Sequence, residues 1–197
     1  MLAWALSQKH FGRWLGAWLV HELGSLGRGR RPAHVMFMLA DHFEPLWADV
    51  DDGTGARRVE RWCDDYPRLA QRFHDAHGYT PRHTFFFPLE QYRPEFLAPL
   101  AELARGGWGE VEVHLHHDAD TTAGLRQTLS LGVQRFAGHG LLGRGADGAP
   151  RYAFIHGDWS LANFWRDGRH CGVDDELQVL FETGCYADFT YPSAPHA

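Results

Sequence analysis

The chain has 197 residues, 44% hydrophobic and 22% charged, which is ordinary for a globular protein and long enough for one domain with a real core. Its formal net charge is −6 and no long basic run interrupts it, so nucleic acid is excluded as the expected partner. Fourteen histidines are more than composition alone explains, and Cys63, Cys171 and Cys185 match neither a zinc-finger nor a redox spacing.

Met1 to Gly24 carries a hydrophobic helical pattern interrupted by Lys9, His10, Arg13 and Glu22. It is too polar to span a membrane and lacks a small-residue cleavage site, so it reads as an amphipathic docking helix, with an interfacial membrane helix as the alternative. The expected compartment is a reducing cytoplasm. Arg28 to Arg31 (RGRR) reads as a basic linker, which sets the organisation as a helix and linker over 1–32 and a main domain over 33–197.

The apolar run Ala33 to Ala40 (AHVMFMLA) predicts a first strand buried on both faces. Asp51 to Gly55 (DDGTG) predicts a loop, and Arg57 to Ala76 a helix with Val59, Trp62, Leu69 and Phe73 as its apolar points. His83 to Phe87 predicts the second strand and Pro94 to Ala104 the second helix. The third strand falls in Glu110 to Thr121 (EVEVHLHHDADT), where Val111, Val113 and Leu115 alternate with Glu112, His114 and His116. Thr121 to Phe136 predicts the third helix, Tyr152 to His156 the fourth strand, and Val173 to Glu182 a short helix. Trp159 to Gly172 is irregular, and Cys185 to Thr190 predicts the fifth strand. Strands alternating with helices define an α/β fold with a parallel sheet. Five strands are few for a closed barrel, and the expectation is a fragment of a longer domain, missing its C-terminal strands.

The titratable residues collect where parallel strands end, which is where such folds bind ligands. The third strand ends in His114, His116 and His117 with Asp118 and Asp120. Alternation puts His114, His116 and Asp118 on one face and His117 on the other. A helix begun after His116 would instead place His116 and Asp120 four apart on one face. Either arrangement joins imidazole nitrogen to carboxylate oxygen and fits a divalent metal, with zinc the first expectation. Asp41 and His42 end the first strand, suited to a base acting on a metal-activated water and to a metal ligand. His156-Gly157-Asp158-Trp159 follows the fourth strand; there Gly157 lets a ligand approach and Trp159 offers a surface for a sugar ring. Asp174, Asp175 and Glu176 read as the acidic start of a helix, and Cys171 and Cys185 as buried small residues.

These motifs carry a resemblance. HVMFMLADHFEP at 34–45, HTFFFPLEQYRPEFLAPLAELARGGWGEVEVHLHHDADT at 83–121, FIHGDWSLAN at 154–163 and CGVDDELQVLFETGCYADFTYPSAP at 171–195 resemble the polysaccharide deacetylase family, and more narrowly a bacterial deacetylase-like subgroup. The resemblance implies an incomplete (β/α) barrel with parallel strands and covering helices. It also implies metal-dependent removal of acyl groups from amino sugars or acylated polysaccharides, at amide or ester bonds. By position, Asp41 matches the family's base. His42 stands where a metal-binding aspartate is usual, His116 matches the first metal histidine, and Asp120 stands where the second is expected. The resulting expectation has Asp41 and His156 as catalytic residues and His42, His116 and Asp120 as metal ligands. His114, His117, Asp118 and Trp159 would contact substrate or support the ligands. Two other readings use the same residues. The spacing His114-x-His116-x-Asp118 also occurs in metallo-β-lactamase-like hydrolases, and a non-catalytic carbohydrate-binding domain would retain the same rim.

Overall fold

A computed structural model describes residues 11–26, 35–165 and 167–190. The RGRR linker, Ala33 and His34, and the prolines after Thr190 lie outside the described residues. The chain divides into two compact units, Met1–Phe37 and Met38–Ala197. The first contains helix α1 (Phe11–Ser25), which leaves Trp14, Trp18, Val20 and Leu23 exposed. Among the described residues no helix is long and apolar enough to cross a membrane.

The second unit is a mixed α/β domain built on a mostly parallel sheet. In chain order its elements are β1 (Leu39–His42), α2 (Asp52–Ala70), β2 (His83–Pro88), α3 (Pro94–Arg105), β3 (Gly109–Leu115) and α4 (Thr122–Gly138). Then follow β4 (Gly143–Arg144), β5 (Pro150–His156), α5 (Glu176–Glu182) and β6 (Cys185–Asp188). β1, β2, β3 and β5 lie side by side in parallel, and β6 extends the sheet in parallel beyond β5. The short β4 pairs antiparallel with the start of β5. All long strands therefore end at one edge.

Register sorts the side chains into two faces. Phe85, Val111 and Phe87, Val113, Phe154 form rows on one face. There they share a single core with Val59 of α2, Leu97 and Leu100 of α3, Leu125 and Phe136 of α4, and Val179 and Leu180 of α5. Among the described residues, the four α-helices of this unit thus pack on the same face of the sheet. Each fully buried Phe or Leu contributes about 1.5–3 kcal/mol through the apolar surface it withdraws from water. The opposite face carries the rows His42, Phe86, Glu112 and Pro88, His114, Ile155.

Several boundaries differ from the sequence expectation. The first strand begins at Leu39 rather than Ala33, and Val35 to Met38 are irregular and 79–86% exposed. Leu39 pairs with His83, the first residue of β2, and Pro81 just upstream has no N–H to offer a longer ladder. The expected loop Asp51 to Gly55 is instead the N-terminus of α2. Asp51 caps it by accepting a hydrogen bond from the Thr54 amide at 2.9 Å. Gly55 is there for packing: a Cβ would lie 2.7 Å from Leu46 and 2.8 Å from Phe96. The helix ends at Ala70, three residues past Pro67, and Leu69 and Phe73 are exposed rather than buried. The last helix starts at Glu176 rather than Val173.

Glu112 is the one buried carboxyl in the middle of the helix-free face. It accepts hydrogen bonds from the Ala153 amide at 2.6 Å and from the Tyr186 hydroxyl at 3.2 Å. Burial nevertheless pushes its carboxyl up to about 7. The folded state then holds this proton more tightly than the unfolded chain, so stability is lost as pH rises from about 4.5 through 7. Glu112→Gln is expected to melt higher than wild type at pH 8, by up to about 3 kcal/mol in stability. The difference should disappear below pH 4.5 in melts followed by circular dichroism; an equal difference at both pH values contradicts it.

Candidate metal centres at the strand ends

The end of β3 divides the histidines. Val111, Val113 and Leu115 enter the helix-side core, so His114 points to the opposite face. After Leu115 the chain does not turn into a helix. It runs irregularly to Thr121, with Ala119 in the left-handed region at φ 47°, and α4 starts only where Thr121 Oγ1 accepts from the Gly124 amide. His116 and Asp120 therefore do not meet on one helical turn. His116 stays with His114, ring centroids 4.5 Å apart, whereas His117 joins His156 at 4.6 Å.

On the helix-free face, His42, Glu44 and His114 present ligand atoms that all lie within 4.8 Å of one another. Glu44 Oε1 is 3.4 Å from His114 Nε2, 3.7 Å from His42 Nδ1 and 3.9 Å from His116 Nε2. His114 is held by its other nitrogen, 2.7 Å from the Ile155 carbonyl, which fixes Nδ1 as the donor and leaves Nε2 an open lone pair. That Nε2 is buried and makes no hydrogen bond, because its approach to Glu44 lacks hydrogen-bond geometry. His116 is held in the same manner by Glu90, whose Oε1 lies 2.6 Å from Nδ1. Where the neighbouring imidazoles are protonated, those of His114 and His42, and then the charge of His116, keep the Glu44 carboxyl well below the usual carboxylate range. The Glu90 hydrogen bond raises the His116 imidazole above its ordinary value, and the charges of Glu90, Glu44 and Asp158 add to it. His42 and His116 are about one-third exposed, so this centre is open to solvent. A cleft of about 530 Å³ adjoins it, lined by His42, Glu44, Arg58, Arg61 and Trp62.

The helix-side face holds a second group. Glu176, the first residue of α5, is fully buried, with Oε1 3.2 Å from His117 Nε2 and 3.5 Å from His156 Nε2. Cys171 Sγ lies 3.3 Å from Glu176 Oε2. Burial pulls the Glu176 carboxyl upward, but the His117 hydrogen bond and the His156 charge outweigh it and leave it below its ordinary value. Burial lowers the His156 imidazole and pushes the Cys171 thiol up to about 11.

The residues singled out in the sequence are thus distributed between two places and a remainder. His42, His114 and His116 are brought together. His117 and His156 are brought together on the other face, with Asp120 Oδ2 3.2 Å from His117 Nδ1. Asp41 joins neither group. As the strand neighbour of His42 it points to the opposite face, where its Oδ1 lies 2.9 Å from His83 Nε2. Asp118 latches the loop by accepting from the amides of Ala119 and His170, so His114, His116 and Asp118 do not converge. Trp159 is half exposed, at φ 52°. Sequence reasoning missed Glu44, Cys171 and Glu176 as site residues, and placed Glu90 at the strand-end rim without a role. Glu44 had a signal, since it stands two residues beyond His42 at the end of a strand.

Compared with family models, with curated proteins and with solved structures, the chain finds no match.

Gly157 is what lets His116 lie where it does. A Cβ there would fall 2.1 Å from His116 Cδ2 and 2.5 Å from its Cγ. Gly157→Ala is expected to swing His116 away from Glu90 and so return its imidazole toward the ordinary histidine pKa. An NMR titration of the ring protons checks this; an unchanged His116 titration contradicts it.

Proposed function

We propose that this chain is a metal-dependent hydrolase that removes acyl groups from a carbohydrate or amino sugar. The observation that carries the reading is the buried, unbonded Nε2 of His114, aimed between Glu44 and His42 at an open strand-end site. The consecutive parallel strands, with every helix of the unit on one face, are consistent with a segment of a (β/α) barrel, whose ligand sites lie at this end of the strands. The resemblance of the HVMFMLADHFEP, EVEVHLHHDADT and HGDWSLAN blocks to polysaccharide deacetylases points to acyl groups on sugars as the substrate class.

The donor set fits a divalent metal, zinc first: two imidazoles and one carboxylate, with a position left open as catalytic sites require. His42, Glu44 and His114 would hold it, and when bound it would supply Lewis-acid activation of water and of the acyl carbonyl. The chain's own residues do the rest. The Ile155 carbonyl fixes the His114 tautomer. His116, with Nδ1 on Glu90 and Nε2 facing the centre, is placed to carry a proton to the departing sugar oxygen or nitrogen. In this reading His116 acts as the proton carrier rather than as a ligand, and Asp41, tied to His83, is not the base. The adjoining cleft, with Arg58, Arg61 and Trp62, gives a sugar ring both polar and aromatic contacts.

The test combines metal analysis with acetate release from acetylated amino-sugar oligomers. Wild type should release acetate, lose this activity to a chelator and regain it with zinc. His116→Ala should lower kcat by about 10²–10⁴-fold with the open centre still occupied, whereas His114→Ala should lose that metal. A folded, metal-loaded wild type that binds acetylated sugars without turnover contradicts the hydrolase and favours a binding domain.

A further inference from the structure

We propose that His117, His156, Cys171 and Glu176 form a second, closed metal site, which takes a zinc-type divalent cation and pins the irregular segment 157–175 to the sheet edge. This goes beyond the hydrolase reading, which uses the other face of the sheet.

The ligand types and their spacing come first. The four ligand atoms lie within 4.8 Å of one another; Glu176 Oε1 is 3.2 Å from His117 Nε2 and 3.5 Å from His156 Nε2, and its other oxygen is 3.3 Å from Cys171 Sγ. A tetrahedral zinc with bonds of about 2.0–2.3 Å places its ligand atoms roughly 3.3–3.8 Å apart. Closing the shell draws in the pairs that now lie at up to 4.8 Å.

Hydrogen-bond accounting supplies an independent argument. His156 is fully buried, and its Nδ1 is bonded to the Gly157 carbonyl, so Nδ1 carries the proton. Its Nε2 is then a buried acceptor without a protein partner, and it faces a carboxylate oxygen, another acceptor, at 3.5 Å. Two buried acceptors facing each other at that distance are unfavourable, and a cation between them removes the conflict. His117 Nε2 is hydrogen-bonded to Glu176 Oε1 at 3.2 Å, while its buried Nδ1 makes no hydrogen bond although Asp120 Oδ2 lies 3.2 Å away. Cys171 Sγ accepts two backbone hydrogen bonds, from Asn163 and Val173, each at 3.4 Å. Its thiol also faces Glu176 Oε2 at 3.3 Å and the Val173 carbonyl at 3.5 Å, and a bound cation would take the place of the thiol proton.

The placement gives the site its role. Its ligands come from the loop after β3, the end of β5, the irregular segment and the start of α5. That segment holds Asp158, Trp159, Ala162, Asn163 and His170 at positive φ, a conformation that regular hydrogen bonding does not maintain. With four protein ligands and no exposure at His156, Cys171 or Glu176, the shell leaves no position for substrate, as in structural zinc sites.

The experiment loads the full chain with cobalt(II) in place of zinc. Wild type should show a near-ultraviolet sulfur-to-cobalt charge-transfer band with the intense visible bands of four-coordinate cobalt. His42→Ala should keep both, because the open centre contains no sulfur, and Cys171→Ser should lose the charge-transfer band. X-ray absorption of the wild-type zinc form should show a sulfur neighbour at about 2.3 Å, averaging about half a sulfur per zinc when the open centre is also filled, a readout that does not depend on any variant folding. A cobalt-loaded wild type without the sulfur band, a zinc form with only nitrogen and oxygen neighbours, or a band that survives Cys171→Ser overturns the proposal. Loss of acetate release with the sulfur band intact counts against the hydrolase alone.

Discussion

An extended chain sends neighbouring side chains to opposite faces, and at the end of β3 this geometry divides three histidines between two acidic environments. His114 and His116 stay on the helix-free face beside Glu44 and Glu90. His117 passes to the helix side and meets Glu176. The register that fixes this is held by Val111, Val113 and Leu115, whose burial leaves β3 no freedom to slip by one residue. A slip would invert every histidine at once.

Both environments depend on carboxylates withdrawn from water. Such charges persist only with partners, because the loss of hydration otherwise neutralises them. Glu44 is surrounded by three imidazoles on a partly open edge. Glu176 sits deeper, with two imidazoles, a thiol and the Ala162 amide at 2.7 Å. Glu112 is the contrasting case: it is buried with hydrogen-bond donors but no cation, and its carboxyl rises instead of falling. The comparison separates what a neighbouring positive or metal-ready group does from what hydrogen bonds alone do.

The sequence made the frame legible because its signals are local. The alternation in β3, the Thr121 cap and the apolar runs of α3 and α4 each act within a few residues. The failures occurred where tertiary contact overrides such signals. Glycines in Asp51 to Gly55 resembled a loop, yet Gly55 is small because Leu46 and Phe96 press on it. The apolar run from Val35 to Met38 resembled a buried strand, but β2 gives it nothing to pair with. Glu176 resembled an ordinary acidic helix start, and it does begin α5. Its inward turn is imposed from a distance: the Asp120 amide bonds the Cys171 carbonyl at 3.0 Å, and Gly172, at φ 95°, lies directly on the Asp120 backbone. No local pattern announces that contact. Alternation placed His116 with His114 and turned His117 to the other face, whereas His156 and the carboxylates completing each group came from other elements.

The central claim is that His114 and His156 are oriented as metal ligands, with Nδ1 engaged and Nε2 free. The most direct measurement is a long-range proton–nitrogen NMR spectrum of the imidazole rings during a zinc titration. The account predicts that the Nε2 resonances of His114 and His156 move on addition of zinc while their Nδ1 atoms remain protonated. A folded chain whose imidazole nitrogens do not respond to zinc contradicts it.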